Sequence, residues 1–206
     1  MAIAQGASAT VVTYTFGDEF SESGSTLSGD VVVTIDDGGG TGSVDITVNT
    51  NDLDGSLSEF ITGLYLNLDP NLDPTAIVAS DDGTDPDATY SFGTDAFQAD
   101  GDGLYDILIG WPNAPPGDRF TADMTDTFTL TLLGLTASSF QFLSTPAGGH
   151  GPFEAALRAQ GLDADGEGSG WFSPDDGGDD EDVPEPATFT LIGLGLFALG
   201  MRHRRR

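Results

Sequence analysis

The chain has 206 residues, and its 34 acidic residues against 6 basic ones give a formal net charge of −28. It contains no cysteine, which excludes disulfides, zinc–thiolate sites and thiol nucleophiles. It also lacks lysine, and phosphate binding needs clustered cations, so nucleic acid is excluded as a partner. The length and a hydrophobic content of 38% predict one domain with a substantial core.

Apolar and polar residues alternate along most of the chain from residue 10 to residue 144. In the segment 127–132, Phe128, Leu130 and Leu132 share one face and three threonines share the other. This period of two is typical of antiparallel strands with one buried face, and Asp-Gly turn clusters separate the segments. The sequence therefore predicts an all-β domain over residues 10–172, a single antiparallel β-sandwich of jelly-roll type. The predicted strands are 11–16, 31–35, 44–48, 60–66, 75–79, 105–111, 127–132 and 140–143, and 152–160 is either a short helix or a last strand.

The composition changes abruptly after Trp171. Residues 173–182 are mostly Asp, Glu and Gly and have no apolar side chain to bury, so we expect an acidic, disordered linker. The uncharged segment 187–201 follows; its 15 residues fall short of the about 20 that a transmembrane helix prefers. Its flanks nevertheless favour a short C-terminal transmembrane helix with its end in the cytoplasm. The basic residues behind it are Arg202, Arg204, Arg205 and Arg206.

Val183, Pro184, Glu185 and Pro186 precede this apolar segment. The order of proline-flanked glutamate, apolar segment and terminal arginines resembles the PEP-CTERM sorting signal of exported bacterial proteins, over residues 183–206. The resemblance implies that an exosortase, a membrane cysteine protease, cuts near the motif and passes the mature protein to the cell exterior. Prolines suit this role because they keep a segment extended for a protease cleft. A plain C-terminal tail anchor is the alternative.

Parts of the predicted domain are similar to a recurrent body type among PEP-CTERM proteins, one without an established biochemical activity. The similar segments are 97–107, 140–144, 148–153 and 168–171. The resemblance implies export and agrees with a β-sandwich. Residues 1–9 lack the basic and apolar regions of a secretory signal but end in small residues as such a signal does. We expect them to be a signal-peptide remnant whose start lies upstream.

Asp100, Asp102 and Asp106 are the candidate metal ligands. Their carboxylates surround glycines that permit a tight turn, and they offer the hard oxygen ligands that calcium prefers. The segment resembles the calcium loop of the FG-GAP propeller repeat, although Gln98 stands where that loop has its first aspartate. The alternative is an Asp-Gly hairpin turn before the strand 105–111. Weaker versions of the pattern, more typical of turns, lie at 51–55 and 163–166.

Catalytic residues are not predicted. His150 lies among glycines, as expected for an exposed loop residue rather than an oriented general base. Trp111 and Trp171 are predicted core aromatics, with a sugar-stacking platform as the alternative. The sequence therefore predicts an exported, non-enzymatic protein of the cell surface or the extracellular polysaccharide matrix, with an exosortase as partner and a membrane-anchored precursor. A calcium-dependent carbohydrate-binding module is the second hypothesis, and a secreted hydrolase is the third.

Overall fold

A computed structural model of the chain describes residues 8–174 except 22, 82, 84, 85, 101, 102, 149 and 163–165. The predictions for the sorting motif, the transmembrane helix, nearly all of the linker and most of the signal remnant lie outside the described residues. The strands of the described part are β1 (Val11–Glu19), β2 (Val31–Asp36), β3 (Ser43–Asn49), β4 (Phe60–Leu66), β5 (Val78–Asp81), β6 (Thr89–Ala99), β7 (Gly103–Gly110), β8 (Thr125–Thr131), β9 (Thr145–Pro146), β10 (Ala155–Gln160) and β11 (Ser169–Pro174). We call the span of these strands the β domain.

The strands form one antiparallel sheet in the order β5-β8-β3-β2-β1-β11-β10-β4-β7-β6, with β9 beside β7. The sheet turns a corner at β1, which pairs with β2 up to Phe16 and with β11 from Phe16 to Glu19. A strand that changes partners at a bulge lets a sheet fold over. The two ends of the strand order meet accordingly, since the Tyr90 hydroxyl of β6 donates to the Asp81 carboxylate of β5 at 2.8 Å. The predicted all-β antiparallel sandwich is confirmed, as one continuous folded sheet.

The main core fills the space inside the folded sheet. Its residues are those that the alternation placed inward: Val31, Val33 and Ile35 of β2 and Leu130 of β8 are fully buried. A second, smaller cluster is aromatic and includes Phe20, Tyr105 and Trp171. Burying each large apolar side chain stabilises the fold by roughly 1.5–3 kcal/mol, so the strands are held by these two clusters.

The predicted strand at 140–143 is wrong. Ala137–Phe140 is a short 3-10 helix, and the Thr136 backbone N–H donates to the Ser139 hydroxyl at 3.1 Å across its first turn. The helix directs Phe140 into the core and leaves Leu143 61% exposed. Local hydrogen bonds between the side chains of Thr and Ser and the backbone thus favour the short helix over a strand.

The segment 75–79 is only partly a strand. It begins within the 3-10 helix Pro74–Ala76, where the Asp73 side chain accepts a hydrogen bond from the Thr75 N–H at 2.9 Å. Proline at the first helical position favours this start, so β5 begins at Val78. The segment 152–160 contains the strand β10, the second of its two predicted alternatives. Among the described residues, no helix has the length and apolarity needed to cross a membrane.

Three strands, β6, the two-residue β9 and β11, are absent from the sequence prediction. β11 pairs with β10 on one side and with β1 on the other, and its last residues Ser173 and Pro174 pair with Asp18 and Phe16. The β domain therefore extends two residues beyond the predicted boundary at 172. Ser173 and Pro174 join the sheet because β1 supplies a hydrogen-bonding partner, which composition alone does not reveal.

Candidate functional site

Asp106 of the predicted calcium loop joins three elements of the structure. One oxygen of its carboxylate accepts the Asp95 backbone N–H at 2.9 Å, and the other accepts the Leu68 backbone N–H at 3.0 Å. Asp106 thereby ties β7 to β6 and to the segment after β4. Both oxygens of this carboxylate already have a structural use.

The other two residues of the calcium prediction are placed differently. Asp100 is exposed in the connection between β6 and β7, whose ends Ala99 and Gly103 pair directly; Asp102 lies outside the described residues. Asp106 lines a cleft of about 260 Å³ together with Asp69 and other residues. Within the part of the chain that the structure describes, no group of three or more His, Cys, Asp or Glu side chains is arranged to hold a metal. The three-carboxylate site at Asp100, Asp102 and Asp106 stays a prediction.

The weaker acidic pattern at 51–55 is a turn. The Asp54 carboxylate accepts the Ser56 backbone N–H at 2.9 Å, and this hydrogen bond lowers the pKa of Asp54. Leu53 in the same turn is buried in the core. The segment is therefore explained by local structure, as predicted. In the segment 163–166, only Gly166 is among the described residues.

The histidine and the tryptophans of the sequence analysis occupy separate places. His150 is partly buried rather than exposed, with its ring 6.1 Å from that of Phe20. Trp111 stacks on Phe120 in the main core, and its indole N–H donates to the Asp126 carboxylate at 2.7 Å. Trp171 belongs to the second cluster. Both tryptophans are core aromatics as predicted, and they do not form a common sugar platform.

Sequence reasoning missed a cleft that brings Arg119 and Arg158 together. This arginine cleft has a volume of about 330 Å³ and lies at one end of β4, β10 and β11. The guanidinium of Arg119 lies 4.0 Å from the ring centre of Phe60, and that of Arg158 lies 5.3 Å from the ring of Trp171. One signal was available, because these are the only Lys or Arg residues before residue 202. The residues lining the cleft are Phe60, Arg119, Arg158, Gln160, Gly161, Gly166, Glu167, Gly168 and Ser169.

Comparison with known proteins identifies the C-terminal residues. No curated protein and no solved structure matches the chain. The family model of the PEP-CTERM protein-sorting motif matches residues 182–206. The matched range contains the residues Val183 to Pro186, the apolar segment and the terminal arginines on which the resemblance was based. The match supports export by exosortase-type sorting, and the chain therefore carries a PEP-CTERM protein-sorting motif at its C-terminus.

Proposed function

We propose that this protein is exported, held in the membrane by its C-terminal segment until an exosortase processes it, and then acts without catalysis at the cell surface or in the extracellular polysaccharide matrix. The observation that carries the proposal is the match of residues 182–206 to the PEP-CTERM protein-sorting motif. The β domain that precedes this motif is the part delivered to the exterior.

The chemistry of the matched residues suits a stalled membrane passage followed by cleavage. The apolar segment 187–201 gains free energy by leaving water, whereas the arginines behind it resist crossing the membrane and keep the end in the cytoplasm. Pro184 and Pro186 have no backbone N–H and fix their own φ angles, so the segment that contains Glu185 favours an extended form. Proteases bind their substrates in this form.

The outward face of β3 and β8 is polar, which suits a protein that is exposed to water outside the cell. On neighbouring strands, the Thr129 hydroxyl donates to the Asp45 carboxylate at 2.6 Å, and the hydroxyls of Thr47 and Thr127 are 3.1 Å apart. These cross-strand bonds make a rigid, hydrophilic wall on β3 and β8. The excess of acidic residues keeps such a domain soluble and monodisperse outside the cell.

Substitution of the motif tests the sorting step. In a host that has the matching exosortase, we expect the wild-type protein to be shortened by about the 24 residues 183–206. The double variant Pro184→Ala, Glu185→Ala removes a fixed backbone and a side chain from the recognition segment, so it should persist uncut in the membrane fraction. The matched control Asp179→Ala, Asp180→Ala changes the acidic segment only and should be processed as the wild type is.

The tail-anchor alternative gives the opposite result. An anchor has no use for Pro184 and Glu185, so both double variants and the wild type would stay at full length in the membrane. Equal processing of wild type and motif variant, or no processing of either in the competent host, would contradict the proposal. Intact mass of the isolated protein distinguishes these outcomes.

A further inference from the structure

The arginine cleft gathers the positive charge of the β domain at one place. Arg119 and Arg158 are the only Lys or Arg residues before residue 202, whereas all 34 acidic residues lie in that same stretch. Two cations placed at random on so acidic a surface would each be surrounded by carboxylates. Both of them instead line one recess.

The position of Arg158 follows from the strand register. Leu157 and Ala159, its neighbours on β10, are fully buried in the main core, so Arg158 points to the opposite face of the sheet. There it lies between Trp171 on β11 and Gly63 on β4, its directly paired residues. The ring of Trp171 supports the guanidinium from one side. The position beside Gly63 is filled by the ring of Tyr65, which an added Cβ would meet at 3.0 Å.

The Nε atom of Arg158 is buried and has no hydrogen-bond partner among the residues that the structure describes. A buried N–H without an acceptor destabilises a protein, more so when the group is charged. The fold bears this cost while it holds the guanidinium at the cleft. Because the Nε is shielded from solvent, a ligand in the cleft reaches Arg158 at the two terminal nitrogens of the guanidinium, which are not among the buried unpartnered atoms.

Arg119 approaches the same cleft from a loop and is held in place by two contacts. Its Nε donates to the Asn113 backbone carbonyl at 2.9 Å, and its guanidinium lies over the ring of Phe60. The hydrogen bond uses one of the five N–H groups of the guanidinium. Because the side chain is already ordered, it loses little further conformational entropy when a ligand binds.

The remaining lining of the cleft is small and polar. Gln160 and Ser169 are directly opposite each other on β10 and β11, which places an amide and a hydroxyl beside the arginines. Gly161 has a φ of +74°, and any side chain there would collide with the backbone carbonyl of Ser58. The glycine is thus required at this position. Its volume of about 330 Å³ is that of a site for a small ligand.

The charges of the cleft select the ligand. Arg119 and Arg158 each contribute a positive charge and Glu167 contributes a negative one, which leaves a single net positive charge. The acidic surface around the cleft repels an anion in proportion to its charge, so a monoanion is favoured over a dianion or a polyanion. Guanidinium groups match the two oxygens of a carboxylate in a bidentate arrangement.

We propose that the arginine cleft binds one carboxylate group of a small ligand, held between Arg119 and Arg158. The carboxylate has two sources, a uronic acid unit of a saccharide or a free small carboxylic acid. This inference does not depend on the sorting signal, because the cleft is formed entirely by the β domain.

Binding of glucuronate to the full chain tests the inference, with acetate, glucose and inorganic phosphate as comparison ligands. We expect glucuronate to bind and to shift the Nε–H resonance of Arg158 in a two-dimensional nitrogen–proton spectrum. Arg119→Gln and Arg158→Gln should each weaken binding about tenfold or more, because each removes a charge-assisted hydrogen bond. Glu167→Gln is the matched opposite variant: it raises the net positive charge, so it should tighten glucuronate binding and admit phosphate.

The comparison ligands decide between the two sources. Acetate binding as strongly as glucuronate supports the proposal with a free carboxylate as ligand, and acetate binding at least about tenfold more weakly supports it with a uronic acid. Equal binding of glucose and glucuronate, tighter binding of phosphate than of glucuronate by the wild type, or no binding at about 10 mM glucuronate would overturn it. If circular dichroism shows that Arg158→Gln does not fold, Arg119→Gln alone is used for the test. An unchanged affinity of Arg119→Gln for glucuronate would also overturn the proposal.

Discussion

At the scale of single residues, many of the aspartates build turns rather than only carrying charge. In a contact that recurs along the chain, an aspartate carboxylate accepts a hydrogen bond from the backbone N–H two residues further on. This hydrogen bond fixes a tight turn. This use explains why Asp is so much commoner than Glu in the chain, since the longer side chain of Glu does not fit the same ring. The aspartates with this contact are Asp36, Asp37, Asp54, Asp69, Asp73 and Asp81.

Asp37 predicts a loss of stability in acid. Its carboxylate accepts backbone N–H groups of Thr10 at 2.8 Å, Gly39 at 2.9 Å and Ala137 at 3.4 Å. These bonds, that of Thr10 foremost, hold its pKa below the ordinary 3.8. A lowered folded-state pKa stabilises the fold above the unfolded-state pKa, and this stability is lost as pH falls through the folded-state pKa. We expect the free energy of unfolding to fall between about pH 4 and pH 2.

Urea unfolding over this pH range measures the effect. Asp37→Asn should have a flatter dependence of the unfolding free energy on pH than the wild type, because the variant lacks the titrating group. Asp118→Asn, the same change at an exposed aspartate of the 3-10 helix Pro116–Asp118, serves as the matched control. Identical pH curves for the wild type and Asp37→Asn would contradict the prediction.

The buried bond between Trp111 and Asp126 makes a second prediction. Asp126 is fully buried, and its carboxylate accepts the indole N–H at 2.7 Å. Asp126→Ala leaves that N–H buried without its acceptor, which should cost about 1–3 kcal/mol of stability. Trp111→Phe removes the donor as well, so the double variant should lose less than the sum of the two single losses. Strictly additive losses in urea unfolding would show that the bond contributes nothing.

At the scale of strands, the sequence predicts those elements whose side chains alternate clearly. β2, β3 and β8 have mostly apolar residues inward and mostly polar residues outward, so a period of two is visible. In β6 the alternation is interrupted in the middle, because the register of this edge strand shifts between Phe92 and Phe97. Within that irregular stretch, Asp95 adopts a φ of +50°. Bulged edges of this kind avoid pairing with other chains and hide the strand from sequence reasoning.

The sorting motif and the arginine cleft also differ in how far the sequence alone predicts them. The sorting motif is linear, so its order of residue types is readable from the sequence before any fold is known. The arginine cleft is not readable, since Arg119 and Arg158 are far apart along the chain and meet only when β10 packs between β4 and β11. β11 itself consists largely of small and polar residues, and its partners rather than its propensities make it a strand.

The calcium hypothesis is testable at the connection between β6 and β7. If Asp100, Asp102 and Asp106 bind calcium, millimolar calcium should raise the melting temperature, since a ligand at about 100 times its Kd adds roughly 2.7 kcal/mol. Asp102→Ala should abolish this rise. Asp106 is unsuitable for the test because its oxygens also accept two backbone N–H groups. Asp52→Ala, in the turn at 51–55, is the control; an unchanged melting temperature of the wild type in calcium would exclude the site.

At the scale of the whole molecule, β11 completes the fold. It lies between β1 and β10 in the sheet and contributes the fully buried Phe172 to the main core and Trp171 to the second cluster. Without β11, two strands would lose their hydrogen-bonding partner, and apolar surface of both clusters would reach solvent. Within the described residues, the folded unit therefore extends to Pro174, which pairs with Phe16 of β1.

Two truncations test this boundary. Deletion of residues 176–206 keeps all eleven strands, since β11 ends at Pro174. We therefore expect a soluble protein with β-type circular dichroism and the melting temperature of the parent. Deletion of residues 169–206 removes β11 as well and should give an aggregating or unfolded chain. Each large buried side chain that is lost contributes roughly 1.5–3 kcal/mol. The summed loss approaches the total stability of a domain, about 5–15 kcal/mol. A shorter deletion that lowers the melting temperature by several degrees would show that the tail stabilises the domain, and a folded product of the longer deletion would show that β11 is dispensable.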